Sequence, residues 1–236
     1  TVTTYIILQD DAATSTAATT AITISGTATA TGEIALYINE TRYAIAVAVG
    51  DDQDAIGAAA VTAINADVYS SVEAGYAAGT LTLTAANKGI QAGDIDVRTN
   101  YNSGEKIPAG VTFTIGATTP GTIDPDAQDV IDAIGESWFN VIGHTYIDNT
   151  NLNLLEDYAA AQDDPMVMRD GQWYTAKRDT RANMITFGTD TNRNSEFMQV
   201  LPSYIRRSNN AQLVGAVVGQ TAQSIQSDTA VPLQRM

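Results

Sequence analysis

His144 is the sole histidine in the chain and follows the apolar run Trp138-Phe139-Asn140-Val141-Ile142. Strand ends in α/β sheets are where active-site residues gather. Asp148, four residues on, can complete a His–Asp pair. The chain holds no Gly-x-Ser-x-Gly nucleophile elbow and no Cys to replace the serine, so that pair has no evident nucleophile to activate. A loop histidine beside a helix cap then reads as a structural residue. Asp190-Thr191-Asn192-Arg193-Asn194-Ser195-Glu196 opens like a calcium loop, but Ser195 stands where the loop needs Gly and Leu201 where it needs a bidentate Glu. An ordinary turn fits it better.

Other carboxylate groups have simpler readings. Asp51-Asp52-Gln53-Asp54 precedes an Ala-rich stretch, and helix N-termini attract acids without any metal. Asp163-Asp164-Pro165 reads as a loop leading to a strand. Arg206-Arg207 is a lone basic pair, suited to a surface or subunit contact. Phosphate-loop and dinucleotide fingerprints are missing, as are paired His ligands. The expected site is therefore empty: no catalytic residue, no cofactor, no metal.

Composition narrows the class further. Hydrophobic residues make up 44% and charged ones 17% of 236 residues, which is globular chemistry with enough length for real cores. The 27 acidic and 12 basic residues give a formal charge of −15. Such a surface repels phosphate backbones, so nucleic acid is not an expected partner. No apolar run approaches the ~20 residues of a membrane helix, and no membrane partner is expected. The start, Thr1-Val2-Thr3-Thr4-Tyr5-Ile6-Ile7-Leu8, has no initiator Met and no basic leader. It looks like a segment of something longer or a processed product. The lack of Cys suits assembly in a reducing cytoplasm.

The elements that would position these residues change character along the chain. Residues 1–118 hold four basic residues (Arg42, Lys88, Arg98, Lys106) and no Trp or Met. Both Trp and all Met lie beyond, and Thr118-Thr119-Pro120-Gly121 marks the boundary. Residues 21–28, 33–38, 43–49, 80–84, 95–98 and 111–115 alternate with the period of strands, and Asn39-Glu40-Thr41 can join two of them as a hairpin. One helix follows Asp51 or Asp52, with Ile56, Ala59, Ala60, Ala63 and Ile64 on one face. This is a β-sandwich-like domain. Beyond residue 118 the period becomes helical. Asp124-Pro125, Asp148 and Asp179 each offer a helix start, and Gly188 is placed to end the third. Strands are expected at residues 138–142 and 197–201, and Asp170-Gly171 favours a hairpin between 166–168 and 173–176. A last helix carries Leu213, Val214, Val217, Val218, Thr221 and Ile225. The pattern is that of α/β layers. A strand at residues 4–8 can join that sheet. The expected fold is thus two domains, α+β or α/β, with a β-sandwich-like domain (16–118) inserted in or preceding an α/β layered core (1–15 plus 119–236).

Taken in order, several segments resemble the contractile tail sheath proteins of Mu-like phages and prophages. Ile6-Ile7-Leu8-Gln9-Asp10-Asp11 resembles the strand before their inserted β domain. Gly26-Thr27-Ala28-Thr29-Ala30-Thr31-Gly32-Glu33-Ile34-Ala35-Leu36-Tyr37-Ile38 is similar to that domain's first hairpin, and residues 47–65 to its helix. Leu81-Thr82-Leu83-Thr84-Ala85-Ala86-Asn87-Lys88-Gly89 and Asp94-Ile95-Asp96-Val97-Arg98 match its later strands. Residues 138–148, Pro165-Met166 and Asp170-Gly171 look like the family's α/β core. Ser227-Asp228-Thr229-Ala230-Val231-Pro232-Leu233-Gln234 resembles a stretch where its last domain begins. The resemblance implies a structural subunit that polymerises with itself, in helical hexameric rings, around an inner tail tube protein. Contraction of that sheath drives injection. It places the protein in a virion tail assembled in the bacterial cytoplasm, and it implies fold and contacts rather than catalysis. The Thr/Ala-rich strands of residues 20–116 also suit an extracellular adhesion or carbohydrate-binding module. A hydrolase built on His144 and a carboxylate is a third reading.

Overall fold

The structure, a computed structural model, describes residues 3–189, 193 and 195–227. These residues form helices and three sheets in a mixed α+β fold. The chain divides into two compact units, with boundaries at Asp10/Asp11 and Asp124/Pro125.

In the β-rich unit, Asp11–Asp124, β1 (Ala17–Gly26) is a central strand. It lies between β5 (Thr80–Lys88) and β7 (Val111–Ile115), and β4 (Val72–Ala77) extends the sheet as β4-β5-β1-β7, all antiparallel. Ala18, Thr20, Ile22 and Ile24 alternate inward along β1, each at most 1% exposed. A slip of one residue would turn that whole row to solvent, so burial fixes the register. The second sheet is β3 (Thr41–Val47), β2 (Gly32–Ile38) and β6 (Val97–Thr99). Ile38 pairs with Thr41, so the β2–β3 loop is only Asn39-Glu40, and both have positive φ (45° and 75°). That is the twist-matched two-residue hairpin turn. Ala78-Gly79 makes the same turn between β4 and β5 (φ 47° and 80°).

Helix α1 (Gln53–Asn65) starts where a carboxylate can cap it: Asp52 Oδ1 accepts from Asp54 N–H (3.1 Å) and Ala55 N–H (2.9 Å). Ile56, Ala60 and Ile64, four residues apart, enter one apolar cluster with Ile22, Ile34, Leu36, Ile45, Leu81 and Leu83. Both sheets therefore share a core with α1. Each fully buried Ile or Leu there contributes roughly 1.5–3 kcal/mol.

The other unit is built on a parallel sheet, β10 (Met198–Ser203), β9 (Gln172–Arg178) and β8 (Val141–Gly143), in that order. In β9, Trp173 points into a cluster with Ala127, Ile134, Leu152, Leu155 and Ala159. These come from α2 (Ala127–Ile134) and α3 (Asn149–Gln162). Tyr174 and Ala176 point the other way, to Val214 of α5 (Asn210–Ser227). Helices on both faces are what a parallel sheet requires. A shorter helix, α4 (Arg181–Gly188), connects β9 to β10.

Several expectations are corrected here. Residues 4–8 form no strand, and Tyr5, Ile6 and Leu8 are exposed. Residues 3–10 are held instead by Gln9, whose Nε2–H donates to Asp126 O (2.8 Å) and whose Oε1 accepts from the Tyr146 hydroxyl. Asp126, not Asp124, caps α2, because Asp124 is buried in the β-rich unit accepting the Gln91 N–H (3.2 Å). Thr180, not Asp179, caps α4. Gly188 does fall at its end. The strand expected at 138–142 is confined to Val141–Gly143, and Trp138 is half-exposed. Residues 166–168 pair with nothing as a strand, so Asp170-Gly171 makes no hairpin. Gly171 is needed for a close approach, since a Cβ there would stand 2.6 Å from Phe139 O.

A second close approach sets a test of packing in the β-rich unit. A Cβ on Gly57, inside α1, would lie 2.3 Å from the Tyr76 ring. Alanine normally favours a helix over glycine by about 1 kcal/mol, but overpacking costs typically 1–3 kcal/mol. Gly57→Ala is expected to lower the urea unfolding midpoint, and to become neutral or stabilising in a Tyr76→Ala background. A stabilised single variant would show that the ring is not fixed over the helix.

Candidate functional site

His144 follows β8, and its N–H donates to Tyr174 O of β9 at 2.9 Å. The strand end therefore places the ring among aromatics, with Tyr146 at 6.0 Å and Trp173 at 6.2 Å between ring centroids. Both ring nitrogens are buried, and neither has a hydrogen-bond partner among the described residues. Burial alone pushes the imidazole pKa down to about 3. The ring is neutral at pH 7.

Asp148 is not its partner. Asp148 Oδ1 accepts the Asn151 N–H (2.9 Å) and Oδ2 accepts Asn151 Nδ2–H (3.0 Å), so both oxygens serve the start of α3. Asn151 in turn accepts the Ala127 N–H on Oδ1 (2.8 Å) and donates to Pro125 O (3.1 Å), which ties the starts of α2 and α3 together. The supposed dyad is thus a neutral buried ring and a helix cap.

The acidic runs at 51–54 and 163–164 have local structural roles. Asp51 Oδ2 accepts Ala48 N–H (2.7 Å), Asp52 caps α1, and Asp54 Oδ1 accepts the Tyr76 hydroxyl (2.8 Å). Asp163 ends α3 and Asp164 Oδ1 accepts the Met166 N–H (2.9 Å). No group of three His, Cys, Asp or Glu side chains able to hold a metal occurs among the described residues.

Of the calcium-like loop, 190–192 and 194 lie outside the described residues, as do 228–234 of the C-terminal motif. Ser195 Oγ accepts the N–H groups of Phe197 (3.2 Å) and Met198 (3.3 Å), and Leu201 lies in β10. The Arg193 side chain is 2% exposed and donates to Glu156 Oε1 of α3 at 2.8 Å and to Asn153. Arg206 does not present a free surface charge. It donates to Ser208 O (2.7 Å), Ser203 Oγ (3.0 Å) and Asn210 Oδ1 (2.7 Å), and so shapes the entry to α5.

One polar constellation was not read from the sequence. On the side of β2 turned away from the apolar cluster, Arg42 Nε donates to Glu105 Oε1 (3.3 Å), and Nη2 donates to Glu33. The Tyr37 hydroxyl donates to Glu105 Oε1 (2.6 Å) and accepts from Asn102 Nδ2 (2.6 Å), while the Asn102 N–H donates to Glu105 Oε2 (2.9 Å). The Tyr37 hydrogen bond, with help from Asn102 and Arg42, holds the Glu105 carboxyl below its usual pKa. The same bond raises Tyr37. An open hollow of about 430 Å³ lies over this group, lined also by Ala35, Lys106, Ile107 and Pro108. Arg42 and Glu33 are nine residues apart and Glu105 is 63 residues from Arg42, so only the pairing of β2 with β3 and the return of the 100–108 loop assemble them.

What the fold defines is a mixed α+β protein with, among the described strands, a three-stranded parallel sheet in the order β10-β9-β8. Over 232 residues, 98% of the chain, the sequence is 32% identical to the Mu-like prophage FluMu tail sheath protein of Haemophilus influenzae. The chain spans about half of that protein's length, 47%. No family model matches the chain. The likeness to Mu-like tail sheath proteins read from the ordered motifs thus extends over nearly the whole chain.

The buried imidazole has a consequence for stability. Above pH 6.5 the ring is neutral whether folded or unfolded. Between about 6.5 and about 3 the unfolded chain takes up a proton that the folded ring refuses. Folding stability therefore falls with acidification by up to about 1.4 kcal/mol per pH unit from this group. Replacing His144 with Phe is expected to shrink the loss of unfolding free energy from pH 7 to pH 5 by about 2 kcal/mol, read by urea titration with Trp fluorescence. An unchanged slope would put the imidazole in contact with water.

Proposed function

We propose that this chain is part of a structural subunit of a contractile tail sheath, which packs with copies of itself around an inner tube protein and shortens to drive injection. The observation that carries this reading is the 32% identity across 98% of the chain to a protein named as a tail sheath protein. In this reading the work comes from a difference in contact energy between two lattices of rigid subunits, repacked at bistable interfaces. No reacting group is needed. Rings of six subunits, a place in the virion tail and assembly in the bacterial cytoplasm belong to the same proposal.

We further propose that the β-rich unit is an insert carried by the α/β unit. Its ends support this. Thr19 N–H donates to Thr119 O (3.0 Å) and Thr119 N–H to Thr19 O (2.8 Å), and Thr16 is bridged to Thr122. A unit whose two ends leave side by side can be accepted within another without opening it.

Co-expression of the protein with an inner-tube protein of a Mu-like tail tests the proposal by negative-stain electron microscopy. Sheathed tubes are expected. Joining Asp10 to Pro125 through a short Gly-Ser linker, with Asp11–Asp124 removed, is expected to leave tubes of smaller outer diameter. A product that stays monomeric beside assembled tubes would sink the sheath reading. Loss of all folded structure on removing the β-rich unit would sink the insert reading alone.

A further inference from the structure

We propose that the open edge of β3 accepts residues 4–8 of a second copy of the chain as an added strand. This specifies one contact among those a sheath needs, and it rests on the sheath reading only for the choice of a copy as partner. In the β3-β2-β6 sheet, Ala35 of β2 spends both backbone groups on the β6 side. Its C=O accepts the Asn100 N–H (2.8 Å) and its N–H donates to Asn100 Oδ1 (3.0 Å). Ala44 pairs with Ala35, so the Ala44 N–H and C=O point away from β2. Period two puts the backbone groups of Arg42 and Ala46 on the same free edge. Ala44 and Ala46 are exposed, and nothing among the described residues bonds to either along that edge. Other edges are blunted in the ways usual for folded proteins. On β4 the Asn65 side chain stands in for a strand, accepting the Ala74 N–H (2.8 Å) and donating to Ala74 O (2.9 Å). β10 carries Pro202, β6 and β8 have three residues each, and β7 has five. β3 has seven, with neither proline nor lysine.

The same chain holds a matching unpaired strand. Thr4-Tyr5-Ile6-Ile7-Leu8 has the β-branched and aromatic composition of a strand. It pairs with no backbone among the described residues, and Ile6 and Leu8 are 79% and 88% exposed. An antiparallel match of Ile6 with Ala44 sets Leu8 beside Arg42 and Thr4 beside Ala46, and adds about six backbone bonds. Thr4, Ile6 and Leu8 then share the face on which Ala44 and Ala46 are small and exposed. Asp10, two residues further along that face, falls diagonal to Arg42, where opposite charges attract. A parallel match would carry Asp10 away from Arg42, so the antiparallel one is favoured. The contact is heterologous: each copy keeps one free strand and one free edge, and association propagates into a ring or a filament. A β3–β3 pair would instead close as a two-fold dimer.

Sedimentation equilibrium on the whole chain provides the test. The mass is expected to rise with concentration, with a Kd of about 1 mM or tighter. Ala44→Pro removes an N–H that bonds nothing within the chain, a place where an edge strand tolerates proline, and Ile6→Lys alters an exposed residue. Each variant alone is expected to stay monomeric. Their equimolar mixture is expected to form a one-to-one dimer and stop there, because one working strand and one working edge remain. Thermal melting checks both folds. If Ala44→Pro melts, a synthetic peptide of residues 3–10 decides instead: it must dissociate the wild-type oligomers. Four results would overturn the proposal: a wild type monomeric throughout, association unchanged in folded Ala44→Pro, association lost in that variant but kept in Ile6→Lys, or a peptide without effect. The chain is tested by itself, so failure here leaves the sheath reading to the assembly of tubes.

Discussion

The two-sided burial of β9 is the constraint on which the α/β unit depends. Trp173 must find apolar partners on one face of the sheet and Tyr174 and Ala176 on the other. α2 and α3 satisfy the first requirement, and α5 satisfies the second. The helix starts follow from this, because helices held against a sheet must have their free N–H groups capped where they begin. Asn151 meets that need for two helices at once, which is why a buried amide is tolerated at that junction. His144 is drawn in as a by-product. Its backbone bonds to Tyr174, its ring is carried under Trp173, and its charge is lost to desolvation.

The β-rich unit answers a different constraint with different chemistry. Its antiparallel sheets need one apolar face each, and β1 alternates accordingly, with Ile22 and Ile24 inward and Thr23 and Ser25 outward. β2 breaks the alternation. Ile34, Leu36 and Ile38 face the shared core, yet Ala35 and Tyr37 on the opposite face are buried too. The 100–108 loop covers that second face, with Asn100 Oδ1 accepting the Ala35 N–H (3.0 Å) and Asn102 and Glu105 engaging Tyr37. A covered outer face is what creates the hollow over Arg42.

Features governed by local chemistry were legible in the sequence. The alternation read at 21–28, a cap at Asp51 or Asp52, the Asp148 cap and a hairpin at Asn39-Glu40-Thr41 each depend on a few neighbouring residues. The strand is found at 17–26, Asp52 is the cap, Asp148 caps as read, and the turn is Asn39-Glu40 with Thr41 already in β3. Features governed by distant partners were not. β4 contains Glu73-Ala74-Gly75, poor strand formers, and owes its place to pairing with β5 and to Tyr76 lying over Gly57. Asp170-Gly171 carries genuine turn chemistry, but the glycine serves the Phe139 carbonyl instead. Residues 4–8 have a strand-like composition, yet they take no place in the sheet and are held through Gln9. Asp124 reads as a cap because it precedes a proline, but a turn 33 residues earlier claims its carboxylate. The Arg42 constellation could have been suspected only from knowing which strands pair.

Two polar places stand out in the molecule, and they differ in what they can do. A general acid or base must reach its substrate and must titrate near the working pH. His144 meets neither condition, since its nitrogens are sealed and its pKa sits near 3. Around Arg42 the groups are accessible, but mutual pairing fixes their charges: Glu105 is held ionised by the Tyr37 and Arg42 contacts, and Arg42 is held protonated by Glu33 and Glu105. Groups locked in their charged forms move protons badly. The first place therefore contributes to folding and its pH dependence, while the second has the properties of a contact surface.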